Sequence, residues 1–162
     1  KSVIDYINSQ FDPEMNWSDA EYCIKKWGGP FALKGIISVE DAKRAVDIGC
    51  SAIILSNHGG RQLDGSRSPF DQVKEISDAV GGQVEIIVDG GIRRGTHVLK
   101  AIAAGANACS LGKAVLFSLG AGGQQGVERL LENMRQEIIR DMVLMGCKSL
   151  SDLDRSRIAY RD

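Results

Sequence analysis

Closely spaced cysteines are absent from this chain. Cys23, Cys50, Cys109 and Cys147 stand far apart, so neither a zinc site nor a dithiol redox motif can be built from sequence neighbours, and they read as reduced thiols in a cytosolic setting. An excess of either charge is also lacking. The 20 Lys and Arg against 21 Asp and Glu leave a net charge of −1, with neither sign segregated, which argues against a nucleic-acid footprint or a polybasic membrane patch. No apolar run approaches the roughly 20 residues that span a bilayer, so no transmembrane segment is expected, and no signal peptide is recognisable. An initiator methionine is missing too, and Lys1 therefore points to a processed product or a piece of a longer reading frame. What remains is 162 residues of ordinary globular composition, 43% hydrophobic, enough for one domain with a real core.

Glycine is plentiful, and it punctuates a repeating beat. Val3 to Ile7 reads as a short helix and Asp12-Pro13 as a turn. Ser18-Asp19-Ala20-Glu21 has the capping-box pattern, so a helix is expected from Ser18 to Trp27, stopped by Gly28-Gly29-Pro30. Strands are expected near 31–36, 52–57, 84–89 and 108–112. Helices between them run from Ser38 to Asp47, from the Pro69 loop to Val80, and from Thr96 to Ala104. A last helix puts Val127, Leu130, Leu131, Met134, Ile138 and Met142 on one apolar face, where the methionines are packing residues. Trp17, Tyr22 and Trp27 are expected to pack the first long helix, an edge role in association being the alternative.

Strands alternating with helices imply an α/β chain of parallel βα units, taken as a single domain over 1–162, with functional residues at the carboxyl ends of the strands. Four such units cannot close an eight-stranded barrel. They would leave one sheet face without cover, so a missing segment or a second copy of the chain is expected against it.

The carboxyl ends carry the chemistry. After the apolar run Ala52-Ile53-Ile54-Leu55, a glycine-rich loop places His58 and Arg61 three residues apart. Imidazole titrates near neutrality and guanidinium grips carboxylates, so the pair suits proton abstraction from a small organic acid, against the bland alternative of two solvated side chains. After the next strand, Asp89-Gly90-Gly91 and Arg93-Arg94-Gly95 can direct backbone N–H groups and a guanidinium at a phosphate beside a helix N-terminus. Gly112-Lys113 repeats that opportunity after the last strand. His97 falls inside a helix and reads as a partly exposed residue without a catalytic role.

Lys34-Gly35, the run Ser56 to Asp64, the run Asp89 to Gly95 and the tail Met145 to Leu150 resemble the FMN-dependent 2-hydroxy acid dehydrogenases and oxidases, the family of L-lactate dehydrogenase, lactate oxidase, glycolate oxidase and mandelate dehydrogenase. Asn8 to Trp17 and the Trp27-Gly28-Gly29-Pro30 turn are most similar to the bacterial L-lactate dehydrogenase type. The resemblance implies the second half of a TIM (β/α)8 barrel, four βα units preceded by a helix and followed by a C-terminal helix. It implies FMN as cofactor and a small L-2-hydroxy acid, lactate above all, as substrate. By position, Lys34 would face the pyrimidine end of the flavin, Ser56 and Asp89 the ribityl hydroxyls, and Gly91, Arg93, Gly112 and Lys113 the phosphate. His58 would be the base and Arg61 the clamp on the substrate carboxylate. Lys113 departs from the family's usual arginine, which keeps charge but loses the bidentate fork. The location implied is cytoplasmic, with peripheral attachment at the inner membrane as the alternative for the full-length parent.

The absent first half would supply the ring-facing flavin contacts and the partner that orients the histidine. Two other readings stand beside the flavoenzyme half: a noncatalytic half-barrel that binds phosphate or flavin and self-associates, and a phosphate-binding barrel enzyme of the isomerase or nucleotide dehydrogenase kind. The last is disfavoured because His58 and Arg61 suit a carboxylate and no cysteine lies in an expected active loop.

Overall fold

The computed structural model describes residues 2–160, so the outermost ends of the expected 1–162 span lie outside the described residues. Helices α1 (Val3–Asn8) and α2 (Trp17–Trp27) precede strand β1 (Ala32–Ile36). Then follow α3 (Val39–Asp47), β2 (Ala52–Ser56), α4 (Pro69–Val80), β3 (Glu85–Asp89), α5 (Gly95–Ala104), β4 (Ala108–Ser110) and α6 (Lys113–Leu144). The strands form one four-stranded sheet in the order β1-β2-β3-β4, parallel throughout, as the alternating pattern requires. Among the described residues no helix is long and apolar enough to cross a membrane.

Local chemistry accounts for most boundaries. Ser38 Oγ accepts from Asp41 N at 3.0 Å and opens α3, Pro69 opens α4 where its missing N–H costs nothing, and Gly28 at φ +69° closes α2. The start of α2 differs from expectation. Its N-cap is Asn16, whose side chain accepts from Ser18 N at 2.9 Å while Asp19 accepts from Asn16 N at 2.8 Å. The capping box therefore lies two residues upstream of the one read at Ser18, because the Asn16 carboxamide reaches the second helical amide and Ser18 Oγ donates to that same carboxamide. The final helix is broken at Gly122 and Gly123, whose backbones leave helical geometry. Beyond the break Met134 is buried, and Val127, Leu130, Ile138 and Met142 are partly buried. Leu131 is 48% exposed and falls outside the expected apolar stripe.

The aromatic expectation holds only for Trp17, which packs against the core beneath the Arg44 guanidinium at 5.2 Å. Tyr22 is 61% and Trp27 68% exposed, and α2 buries no residue. Trp27 instead donates its indole N–H to Pro30 O at 2.9 Å and ties down the turn.

Register decides which residues face the helices. Ile53 pairs with Ile86, Leu55 with Val88, and Val88 with Cys109. Ile53, Leu55, Ile86 and Val88 are fully buried beneath α3, α4 and α5 in the main core. The alternate residues point the other way. By register, Ala32, Lys34, Ala52, Ile54, Ser56, Glu85, Ile87, Asp89, Ala108 and Ser110 lie on the open face, opposite the one that α3, α4 and α5 cover. The open face is thus mixed, and apart from Glu85 at the start of β3 its polar residues lie at the carboxyl ends of the strands.

Candidate functional site

One row of the open face gathers the polar side chains at the strand ends. Ser56 pairs with Asp89 and Asp89 with Ser110, which sets three polar side chains abreast at the strand ends. Lys34 joins them from β1, where the register slips between Lys34 and Ile36. The extra residue is Gly35 at φ +96°, a conformation a side chain would resist, and the resulting bulge re-aims the lysine. Lys34 Nζ lies 2.6 Å from Asp89 Oδ2 and donates to Ser56 Oγ at 2.8 Å. Ser56 Oγ donates to Asp89 Oδ2 at 2.6 Å. Partial burial pushes the Asp89 carboxyl up, but the bonds from Lys34, Ser56 and Ser110 outweigh it and hold the group below its ordinary value.

Ser56 also accepts from His58 N at 3.1 Å. That bond reaches His58, a non-glycine residue with a left-handed backbone at φ +56°, a conformation that costs a side-chain-bearing residue about 1 kcal/mol or more. Gly59 and Gly60 continue it at +68° and +72°. Asn57 closes the turn by accepting from Gly60 N at 3.2 Å, and Lys113 Nζ donates to Gly59 O at 2.8 Å. The chain thus turns sharply off β2 and leaves His58 and Arg61 exposed. Among the described residues no hydrogen bond or ion pair engages the His58 ring or the Arg61 guanidinium.

The loop after β3 turns on Gly90 at φ +134° and Gly91 at +76°, anchored by buried Ile92. Its two arginines separate. Arg94 is held by Glu137 at 2.8 Å, whose other oxygen accepts from Gly95 N at 2.7 Å, so the N-terminus of α5 already has its carboxylate. Arg93 is exposed. The N-terminus of α6 is the open one: Gly112 is its N-cap, without a side-chain cap, and its first turn holds no acidic residue. Free amides and the positive end of the helix dipole therefore face the cleft there.

Lys34, His58, Arg61, Asp89, Gly91, Arg93, Gly112 and Lys113 all line one cleft of about 660 Å³. Ser56 lies just beneath, on the wall of an adjoining cleft of about 400 Å³ with Gln62, Leu63 and Ser66. Every expected site residue is therefore brought together. Missed in the sequence were Ser110, which bonds Asp89, and Glu137, which caps α5 from α6. His97 is partly exposed as expected, yet its Nδ1 touches the Gly91–Arg93 loop. Burial pushes the Cys109 thiol up to about 11, which leaves it no thiolate for nucleophilic chemistry near pH 7. Among the described residues no His, Cys, Asp and Glu cluster could hold a metal.

Residues 1–160 match the family described as FMN-dependent dehydrogenase. The chain is 45% identical over 151 residues to an L-lactate oxidase of Nostoc sp., covering 93% of this chain and 41% of that protein. It is 42% identical to an L-lactate dehydrogenase of Vibrio cholerae, covering 99% and 43%, and 48% identical to a pre-mycofactocin synthase of Mycobacterium tuberculosis, covering 90% and 37%. Among solved structures it superimposes with a TM-score of 0.85 on a mandelate oxidase variant with a monooxide FMN adduct, at 46% identity, covering 90% of this chain and 46% of that one. The chain thus spans less than half the length of these relatives, and its four βα units correspond to half of a (β/α)8 barrel. The identity, sustained over nearly the whole chain, makes it a member of the FMN-dependent 2-hydroxy acid dehydrogenase and oxidase family.

Proposed function

We propose that this chain carries the acid–base and phosphate-binding half of an FMN-dependent oxidation of an L-2-hydroxy acid, lactate being the leading candidate, to the 2-oxo acid. The observation that carries this reading is the single cleft lined by His58, Arg61, Lys34, Asp89, Arg93 and Lys113. FMN fits the donors available. Lys34 uses two of its N–H groups on Ser56 and Asp89, which leaves one for an electron-rich ring edge. Asp89 keeps acceptor capacity for a ribityl hydroxyl. Gly91, Arg93, the α6 amides after Gly112 and the remaining N–H groups of Lys113 surround a position suited to a phosphate. Ser56 is different: its hydrogen is on Asp89 and both lone pairs receive donors. Its part is therefore to orient Lys34, Asp89 and His58 beside the ribityl chain.

In this scheme Arg61 holds the substrate carboxylate and His58 takes one proton from the hydroxy acid. When bound, FMN would supply the sink for the two electrons together with the second proton. In a full-length parent, His58→Ala is expected to lower turnover by about 10²-fold or more with flavin retained, because a base acts in the reaction and not in cofactor binding. Arg61→Lys should raise KM and slow turnover. Normal kinetics in both variants would remove the assigned roles.

A second reading, a noncatalytic half-barrel whose open face is covered by another copy, draws on the unpartnered His58 ring and the uncovered sheet face. Purified chain that sediments as a dimer, holds flavin and fails to turn over L-lactate with an artificial acceptor would favour it. Cover by the missing half of the barrel is the alternative consistent with the first reading.

A further inference from the structure

His97 lies one helical turn behind the glycine loop, at the third residue of α5, and lines neither cleft. Its Nδ1 is 3.2 Å from Arg93 N and 3.1 Å from Gly91 O. One ring nitrogen cannot accept from the first and donate to the second at once. The Arg93 amide always carries its hydrogen, so the bond to it requires a lone pair on Nδ1 and a proton on Nε2.

The far end of this loop is tied to α6 by the Arg94–Glu137 pair. Gly90 and Gly91 have left-handed backbones with wide conformational freedom, and Ile92 fixes the position of the loop by burial. Burial of Ile92 does not fix how the following peptide is rotated, and that rotation sets where the Arg93 guanidinium is presented. From this geometry we propose that His97 is a positioning residue for the anion seat: its Nδ1 accepts the Arg93 amide and presents Arg93 and Gly91 to a phosphate monoester group. The proposal rests on the phosphate reading given above.

The test compares FMN with riboflavin, which lacks the phosphate, by fluorescence titration of the 162-residue chain. His97→Ala is expected to weaken FMN binding by about tenfold, the scale of one lost hydrogen bond and the order it imposed, and to leave riboflavin unchanged. His97→Gln moves the polar atom to the Nε2 position and should behave like Ala. His97→Asp puts an acceptor-only oxygen at the Nδ1 position and should bind FMN within about twofold of the parent chain. Unchanged FMN affinity in His97→Ala would overturn the proposal, and Asp as weak as Ala would overturn the acceptor role. A parent chain with no preference for FMN over riboflavin would instead remove the phosphate reading itself, and the proposal with it. Nitrogen NMR of the parent chain gives a readout free of any variant: the proposal requires the Nε2–H tautomer, and an Nδ1–H ring refutes it.

Discussion

Replacing Ser56 with alanine removes one oxygen and disturbs three groups. Ser56 is only 4% exposed, so no water readily takes the place of its hydroxyl. The Asp89 carboxylate loses a donor at 2.6 Å, the Lys34 ammonium an acceptor at 2.8 Å, and the His58 amide an acceptor at 3.1 Å. Bonds to charged groups contribute about 1.5–3 kcal/mol each and a neutral amide bond about 0.5–1.5. These do not add, because Lys34 and Asp89 remain paired directly at 2.6 Å and relax toward each other. The expected net loss is about 2–4 kcal/mol, a large share of the roughly 5–15 kcal/mol that holds a domain folded. Urea denaturation should show a midpoint lower by about 1–2 M with an unchanged slope. Acid supplies a second readout. The Asp89 carboxyl is held below its ordinary 3.8, so its contribution is complete above that value and is lost as pH falls through the lower, folded-state value. The gap between parent and Ser56→Ala should therefore be full near neutrality and close toward acid. A midpoint shift under about 0.3 M, or a gap that widens in acid, would refute the reasoning.

Gly95→Ala should cost about 2–3 kcal/mol, because the new methyl would lie 2.5 Å from Met134 O and 2.8 Å from Ile138 N and must drive α5 from the α6 backbone; a melting temperature within a degree of the parent would contradict that packing. Lys113→Arg should tighten FMN binding several-fold in a full-length parent, since a planar fork can meet both Gly59 O and a phosphate oxygen where an ammonium makes single contacts. Weaker flavin retention on titration would remove Lys113 from the phosphate site.

The parallel βα order was legible because each strand and helix announces its own period, and the carboxyl-end loops could be located from it. Ser38 and Gly28 could be read as boundary residues because their chemistry acts within one turn. The same local logic misplaced the start of α2, since Asn16 and Ser18 both suit an N-cap and only the chain's approach to the helix decides between them. The supporting contacts of the site were out of reach for a different reason. Glu137 meets Gly95 across 42 residues and Lys113 meets Gly59 across 54. Ser110 meets Asp89 only once β3 and β4 are in register. Nothing in the spacing of such pairs distinguishes them from surface charges. Trp27 and Tyr22 show the converse error: their size suggested a core, whereas α2 meets it through Trp17 and Ile24 and leaves these two exposed.

The two sides of the proposed site differ in what they require. Lys34, Ser56, Asp89 and Ser110 satisfy one another within the chain, with Asp89 mostly shielded and Lys34 half-exposed. That cluster is organised before anything covers the open face, because its charges are balanced and its bonds are closed. The His58 ring and Arg61 stand outside it. Their backbone is fixed by Ser56, Asn57 and Lys113, yet no bond orients either side chain among the described residues. A base works only when its lone pair is aimed and a clamp only when its fork is held. Under the proposed function, cover of the open face, by the other half of a barrel or by a second copy, is what would aim these two side chains, while the Lys34–Ser56–Asp89 cluster already stands in place without it.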